Sequence, residues 1–208
     1  MIKIIDYGMG NLRSVQKALE KLGFQADITS LPSEIAAAQG VILPGVGAFE
    51  DAMANLKSSG LVDSIRKVVE KGVPLLGICL GMQMLLSTSE ENGLHEGLDL
   101  IPGKVLRLPE KVTVPHMGWN RLEVKKEHPL VTGINPGDFV YFVHSYYVAP
   151  DNADSVVCET DYGINFASVI AKDNIMGIQF HPEKSSSVGL KILRNYGEMV
   201  KNATIAGN

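Results

Sequence analysis

Apolar residues in this chain come as short unbroken runs that stop at glycine or proline, and each early run is followed by a stretch with helical spacing. Ile2 to Asp6 is such a run; Tyr7-Gly8-Met9-Gly10-Asn11 interrupts it, and Leu12, Val15, Leu19 and Leu22 then fall on one face before Gly23. The spacing predicts a strand, a tight loop and an amphipathic helix. Val41-Ile42-Leu43 runs into Pro44-Gly45-Val46-Gly47 and a further helix, and Val73 to Cys79 runs into a helix carrying Met82, Leu85 and Leu86. Strands that are apolar throughout, alternating with helices, predict a parallel sheet covered on both faces. From about Lys104 the pattern turns to β: alternation over Phe139 to Val148, and a hairpin of Phe166 to Ala171 and Ile175 to Phe180 around Lys172-Asp173-Asn174. A last amphipathic helix carries Val188, Leu190, Ile192, Leu193 and Tyr196. The expected fold class is α/β, an open, mostly parallel twisted sheet with helices on both faces and a β-rich C-terminal half, in one domain over residues 1–208.

Composition narrows the function classes. With 208 residues, 45% apolar and 20% charged, the chain can bury a sizeable core. A net charge of −4, with no basic cluster longer than Lys125-Lys126, argues against a nucleic-acid partner. No run is long enough for a membrane span, and the opening Met1-Ile2-Lys3-Ile4-Ile5-Asp6 meets an acid too soon for a signal peptide, so the expected compartment is the cytoplasm. Two cysteines fit a reducing compartment. His95, His116, His128 and His144 share no metal-ligand spacing, so no metal is expected. Gly8-Met9-Gly10 and Gly45-Val46-Gly47 start like dinucleotide fingerprints but reach Arg13 and Glu50 at the sixth position, and no phosphate loop occurs. No cofactor is expected.

The chemistry concentrates in two segments. Leu75-Leu76-Gly77-Ile78-Cys79-Leu80-Gly81-Met82-Gln83 has the pattern of a nucleophile elbow, in which flanking glycines let a strand turn sharply into a helix and leave the Cys79 thiol exposed on the bend. A helix N-terminus behind a thiol favours its reactive, ionised form, and the Leu80 N–H is placed to donate to an oxyanion. Gly177-Ile178-Gln179-Phe180-His181-Pro182-Glu183 offers a base and a carboxylate two residues apart, with Pro182 fixing the turn between them. A Cys79–His181–Glu183 relay is the reading. Cys158, in Ser155-Val156-Val157-Cys158-Glu159, reads as a small core residue. Val46 and Gly47 offer either the second oxyanion donor or a plain structural turn.

Taken together, these residues resemble the triad-type (class I) glutamine amidotransferases, whose glutaminase domains carry Gly-x-Cys-x-Gly-x-Gln and His-Pro-Glu in this order on an open, flavodoxin-like α/β sheet. Asp6-Tyr7-Gly8-Met9-Gly10-Asn11-Leu12, Pro44-Gly45-Val46-Gly47-Ala48-Phe49, Pro115-His116-Met117-Gly118-Trp119-Asn120 and Phe142-Val143-His144-Ser145-Tyr146-Tyr147 are similar to the branch of that family that serves as the glutaminase subunits of imidazole glycerol phosphate synthases. The resemblance implies that Cys79 attacks the side-chain amide of glutamine, that His181 shuttles the proton and that Glu183 orients His181. It further implies that Gln83, Ser145 and Tyr146 hold the substrate. The implied partner is a (βα)₈-barrel cyclase in a heterodimer, contacted through Pro115, Met117, Trp119 and Tyr141, which uses the ammonia to form imidazole glycerol phosphate and an aminoimidazole carboxamide nucleotide in histidine synthesis. Composition alone leaves Trp119 equally readable as core; the resemblance favours the interface. The other readings are a glutaminase subunit of another amidotransferase, a stand-alone cysteine hydrolase acting on peptides or γ-glutamyl groups, and a non-catalytic module on the same fold.

Overall fold

The computed structural model describes residues 1–206. From Ile2 to Met84 strand and helix alternate: β1 (Ile2–Ile5), α1 (Leu12–Lys21), β2 (Ala26–Thr29), α2 (Pro32–Ala36), β3 (Gly40–Gly45), α3 (Phe49–Ser58), α4 (Val62–Glu70), β4 (Leu75–Cys79) and α5 (Leu80–Met84). Strands then dominate: β5 (Leu86–Ser89), β6 (His95–Glu96), β7 (Ile101–Arg107), β8 (His116–Arg121), β9 (Glu123–Val124), β10 (Phe139–His144), β11 (Tyr146–Pro150), β12 (Val156–Asp161), β13 (Asn165–Lys172) and β14 (Ile175–Ile178), before α6 (Ser186–Ala206) closes the described chain.

One large sheet runs in the order β2-β1-β3-β4-β14-β13-β11-β7-β5-β6, with β12 and β9 beside β13, and β8 and β10 form a separate two-stranded ribbon. β2, β1, β3, β4 and β14 are parallel, as expected for strands joined through helices. The antiparallel extension begins at the β13–β14 hairpin, where Val169 faces Ile178 and Lys172 faces Ile175.

Both sheet faces are covered, which is why the central strands are apolar at consecutive positions. Successive side chains point to opposite sides. Ile4, Ile42, Leu76 and Ile178 pack under Val15 and Leu19 of α1 and Ile192, Leu193 and Tyr196 of α6. Ile5, Val41, Leu43 and Leu75 pack under Phe49, Met53 and Leu56 of α3 and Ile65 and Val68 of α4. Each such side chain contributes about 1.5–3 kcal/mol by leaving water. The buried Tyr196 hydroxyl donates to the carbonyls of Val41 (2.8 Å) and Pro74 (3.1 Å), so its one polar atom is satisfied.

Two expected elements are redrawn. The helix after Cys79 ends at Met84, and Leu86 opens β5. Met82, Leu85 and Leu86 are all fully buried, so their spacing does not separate one long helix from a single turn followed by a strand. The alternating run Phe139 to Val148 is two strands in different sheets: β10 pairs with β8, and β11 pairs with β7 and β13. The chain changes sheet at Ser145. Among the described residues no helix is long and apolar enough to cross a membrane.

A Cβ on Gly81 would stand 1.8 Å from the Leu43 carbonyl oxygen, whereas one on Gly60 (φ +68°) would meet nothing within 4 Å. Gly81→Ala should therefore destabilise the fold by about 3 kcal/mol or more, through forced displacement of α5 from β3. Gly60→Ala should cost about 1 kcal/mol, from its left-handed backbone alone. Urea unfolding midpoints of the two variants check the contrast; equal losses would mean that α5 is not held by that contact.

Candidate active site

β4 delivers Cys79 at its end with φ 55° and ψ −112°, a left-handed conformation that is uncommon for a residue with a side chain and costs on the order of 1–3 kcal/mol. Glycines surround the bend for steric reasons. A Cβ on Gly77 would lie 2.7 Å from the Gly81 carbonyl oxygen, and one on Gly45 would lie 3.0 Å from the Gly81 nitrogen. The helix behind Cys79 is only five residues long, so its dipole is that of a single turn, shorter than the sequence pattern suggested. Specific donors carry correspondingly more weight. Gln179 Nε2 donates to Cys79 Sγ at 3.8 Å, and the thiol lies 3.8 Å from the Val143 carbonyl, which accepts from it.

His181 and Glu183 arrive from the neighbouring strand. β14 runs parallel to β4, with Ile178 beside Ile78, so the residues that follow both strands emerge at the same sheet edge. Pro182–Lys184 forms one 3₁₀ turn that folds Glu183 back on His181. His181 Nδ1 and Glu183 Oε1 are 3.0 Å apart, and Asn11 Nδ2 donates to the same oxygen at 3.0 Å. The His181 backbone is clamped as well. Its N–H donates to the Tyr141 carbonyl (3.0 Å), and its carbonyl accepts from Ser185 Oγ (2.6 Å), which itself accepts from the Tyr141 N–H (2.9 Å).

Burial disfavours charge on both partners. For His181 that penalty is outweighed by hydrogen bonding and charge from Cys79 and Glu183, which lift it to about 9. Burial would raise the Glu183 carboxyl, yet the His181 hydrogen bond and charge hold it below the ordinary range, with Asn11 assisting. With Nδ1 committed to Glu183, the Nε2 side of the ring is left for the sulfur. Glu183 Oε2 is buried without a partner, so the whole hydrogen-bonding capacity of this carboxylate within the protein runs through Oε1.

A cleft of about 330 Å³ opens over Cys79 and His181. Val46, Gly47 and Leu80 line it, as do Gln83, Ser145 and Tyr146, so all six expected oxyanion and substrate positions face one space. Gly47 holds φ +93° while Val46 stays outside the left-handed region; the loop places its unusual backbone at the glycine. Pro115, expected at an interface, also lines this cleft. Met117, Trp119 and Phe139 stand outward on the ribbon, with Trp119 52% exposed and edge-on to Tyr141 at 5.9 Å; Trp119 is therefore not a core residue.

Several residues of this site carry no signal in the sequence. Glu91, in the loop after β5, lines the cleft and accepts from the Phe49 N–H (2.8 Å) at the start of α3. No local pattern marks it. Gln179, Asn11 and His144 lie in motifs whose pattern assigns them no role in this site. Their roles rest on long-range contacts. Among the described residues no group of three or more His, Cys, Asp or Glu is placed to hold a metal ion.

A strained cysteine beside a carboxylate-oriented histidine, with backbone amides bordering a small cleft, is equipped for acyl transfer through a thioester. Comparison with known proteins agrees. The family described as glutamine amidotransferase class-I matches residues 3–198. The imidazole glycerol phosphate synthase subunit HisH of Moorella thermoacetica is 58% identical, over 100% of this chain and 99% of its own. That of Geobacter sulfurreducens is 53% identical, over 95% of this chain and 98% of its own. Among solved structures, PurLQS from Thermotoga maritima superposes with a TM-score of 0.74 at 19% identity, covering 97% of each chain, which speaks for the fold. The chain belongs to the class-I glutamine amidotransferases, in the branch formed by the imidazole glycerol phosphate synthase HisH subunits.

Proposed function

We propose that this chain, acting as one domain in the cytoplasm, hydrolyses the side-chain amide of glutamine through Cys79, His181 and Glu183. It passes the ammonia to a (βα)₈-barrel cyclase that makes imidazole glycerol phosphate and the aminoimidazole carboxamide nucleotide of histidine biosynthesis. The observation that carries this reading is a single cleft in which Cys79, at φ 55°, faces His181, itself bonded to Glu183 at 3.0 Å. Gln83, Ser145 and Tyr146 hold glutamine there. Cys79 Sγ attacks the amide carbon, and the oxygen takes the negative charge under the N–H groups of Leu80 and of the Val46–Gly47 loop. His181 gives its proton to the leaving nitrogen, ammonia departs and a γ-glutamyl thioester remains. His181 then takes a proton from water, which attacks the thioester and releases glutamate and the thiolate. Each oxyanion donor accounts for about 10²–10³ in rate.

The destination of the ammonia follows from what surrounds the cleft. Pro115 sits at its rim and begins the segment that leads through Met117 to Trp119, an exposed apolar surface suited to a second polypeptide. The relatives' names describe them as subunits of a synthase. A stand-alone hydrolase would have no use for that surface. Ammonia release from glutamine, assayed with and without the cyclase of the same organism, decides between the two: activity that is high alone and indifferent to the cyclase would sink the proposal.

Cys79→Ser should abolish glutamine hydrolysis while leaving the urea midpoint near wild type. Because the triad acts as a unit, adding His181→Ala should cost little more than either change alone. Hydrolysis by Cys79→Ser above background would remove Cys79 from the mechanism.

Stability should also report the triad. The His181 pKa is raised from 6.5 to about 9, so its contribution to stability is complete below pH 6.5 and lost as pH rises to about 9. Unfolding free energies at pH 6 and 9 should show a fall in wild type that His181→Gln flattens. An equal fall in both proteins would show that His181 is not held charged by its partners.

Trp119→Ala should weaken binding to the cyclase by roughly 2 kcal/mol, as for a hot-spot tryptophan. Titration calorimetry reads the change in Kd, and an unchanged Kd for the folded variant would move the docking site elsewhere.

A further inference from the structure

Behind the cleft lies a polar chain that the mechanism above leaves unused. His116 on β8 and His144 on β10 face each other in register, with Nδ1 of His116 and Nε2 of His144 2.9 Å apart. His144 Nδ1 lies 2.8 Å from the Tyr146 carbonyl. At the other end Asn120 Nδ2 lies 3.3 Å from His116 Nε2 and donates to the Asp161 carbonyl at 2.9 Å. The chain continues past Tyr146. Gln83 Nε2 donates to that same carbonyl (3.0 Å) and to Gln179 Oε1 (3.1 Å), and Gln179 Nε2 donates to Cys79 Sγ (3.8 Å).

The Tyr146 carbonyl fixes the direction of the protons through the two histidines. A carbonyl only accepts, so His144 Nδ1 carries the hydrogen and, in the neutral ring, Nε2 accepts. His116 Nδ1 must then donate, which leaves its Nε2 to accept from Asn120. The surroundings keep both rings neutral. Burial lowers His116 to about 4; it also lowers His144 to about 3, against a smaller opposing effect of the Tyr146 carbonyl. Position is fixed too, because His116 is stacked between Tyr162 (3.9 Å between centroids) and Phe142 (4.8 Å). Both Gln83 N–H groups are consumed inside the protein, so its side-chain oxygen is what it can offer a bound molecule.

We propose that His116, His144 and Gln179 are positioning residues in a hydrogen-bond chain that links Asn120 on the ribbon to the Cys79 sulfur: one run of donors leads from Asn120 through the two histidines to the Tyr146 carbonyl, and a second leads from Gln83 to that same carbonyl and through Gln179 to the sulfur. This rests on the glutaminase reading and deepens it: the orientation of the substrate wall and of the sulfur's donor depends on His116 and Gln179, which do not line the cleft, and on His144, which borders it. A buried chain of this kind is worth having only when complete, since a missing member leaves its neighbours unpaired. His116→Phe keeps the stacking and removes both ring nitrogens, whereas His116→Gln restores one donor and one acceptor.

The test uses the full-length chain and two readouts, the rate at which iodoacetamide alkylates Cys79 and the kcat and KM for glutamine. Cys158 is the unreactive internal control, its thiol pushed up to about 12 by burial. In His116→Phe the alkylation rate at neutral pH should fall about tenfold and KM should rise about tenfold, with a smaller change in kcat. His116→Gln should recover most of both. If His116→Phe does not fold, Asn120→Ala, at the half-buried end of the chain, should show the same changes more weakly. Folded variants with wild-type alkylation and wild-type KM overturn the proposal, as does a His116→Gln protein no better than His116→Phe. Alkylation needs no turnover, so it decides the matter even if glutamine proves not to be the substrate.

Discussion

The contact between Gly81 and the Leu43 carbonyl sets the geometry of everything around the cleft. There is no room for a side chain between them, so the single turn of α5 lies directly on the end of β3. Parallel pairing then places Gly45 beside Cys79, and the Val46–Gly47 loop leaves its strand next to the Leu80 amide. Two sets of backbone N–H groups thus border the same space without any side chain having been recruited for the purpose. The strained φ of Cys79 belongs to this arrangement. Close packing on the sheet leaves the bend no wider path, and the fully buried strands on either side supply the stabilisation that sustains it.

The elbow and the histidine–carboxylate pair were readable in the sequence because their determinants are local: glycines at fixed offsets from Cys79, and Pro182 forcing Glu183 back onto His181. The parallel half of the sheet was readable for a related reason, since strands buried on both faces leave unbroken apolar runs. Other features depend on what lies across the fold. Glu91 sits in a loop with no periodicity and reaches the cleft only because β5 ends near the start of α3. Asn11 meets Glu183 across 172 positions of sequence. The end of α5 is not legible in the sequence because buried residues at helical spacing look alike whether they stay on one helix or pass into a strand. The crossing at Ser145 was hidden by a binary alternation that continues through it while the hydrogen-bonding partners change.

Charge is distributed unevenly around the sulfur, and the distribution follows burial. His181 and Glu183 keep their charges because each satisfies the other, with Asn11 added on the carboxylate side. His116 and His144, a short distance behind, have no carboxylate among their hydrogen-bond partners and stay neutral. One cleft therefore borders two histidine environments of opposite electrostatic character. On the proposed mechanism, the imidazole that changes charge, His181, is kept apart from the two that stay neutral.

The crossing at Ser145 has an evolutionary side. Because the chain leaves the ribbon at that residue and enters the main sheet at the next, the outward face of β8 and β10 can vary without altering the pairing that carries Cys79 and His181. Met117 and Trp119 point away from the main sheet, while His116 and His144 point towards it. On the proposed docking, the ribbon is an adaptor: its outward face meets the enzyme that consumes the ammonia, and its inward face supports the cleft. Fusing this glutaminase to a new acceptor enzyme would then be a matter of redesigning a few outward side chains on two short strands, with the hydrolytic centre inherited intact.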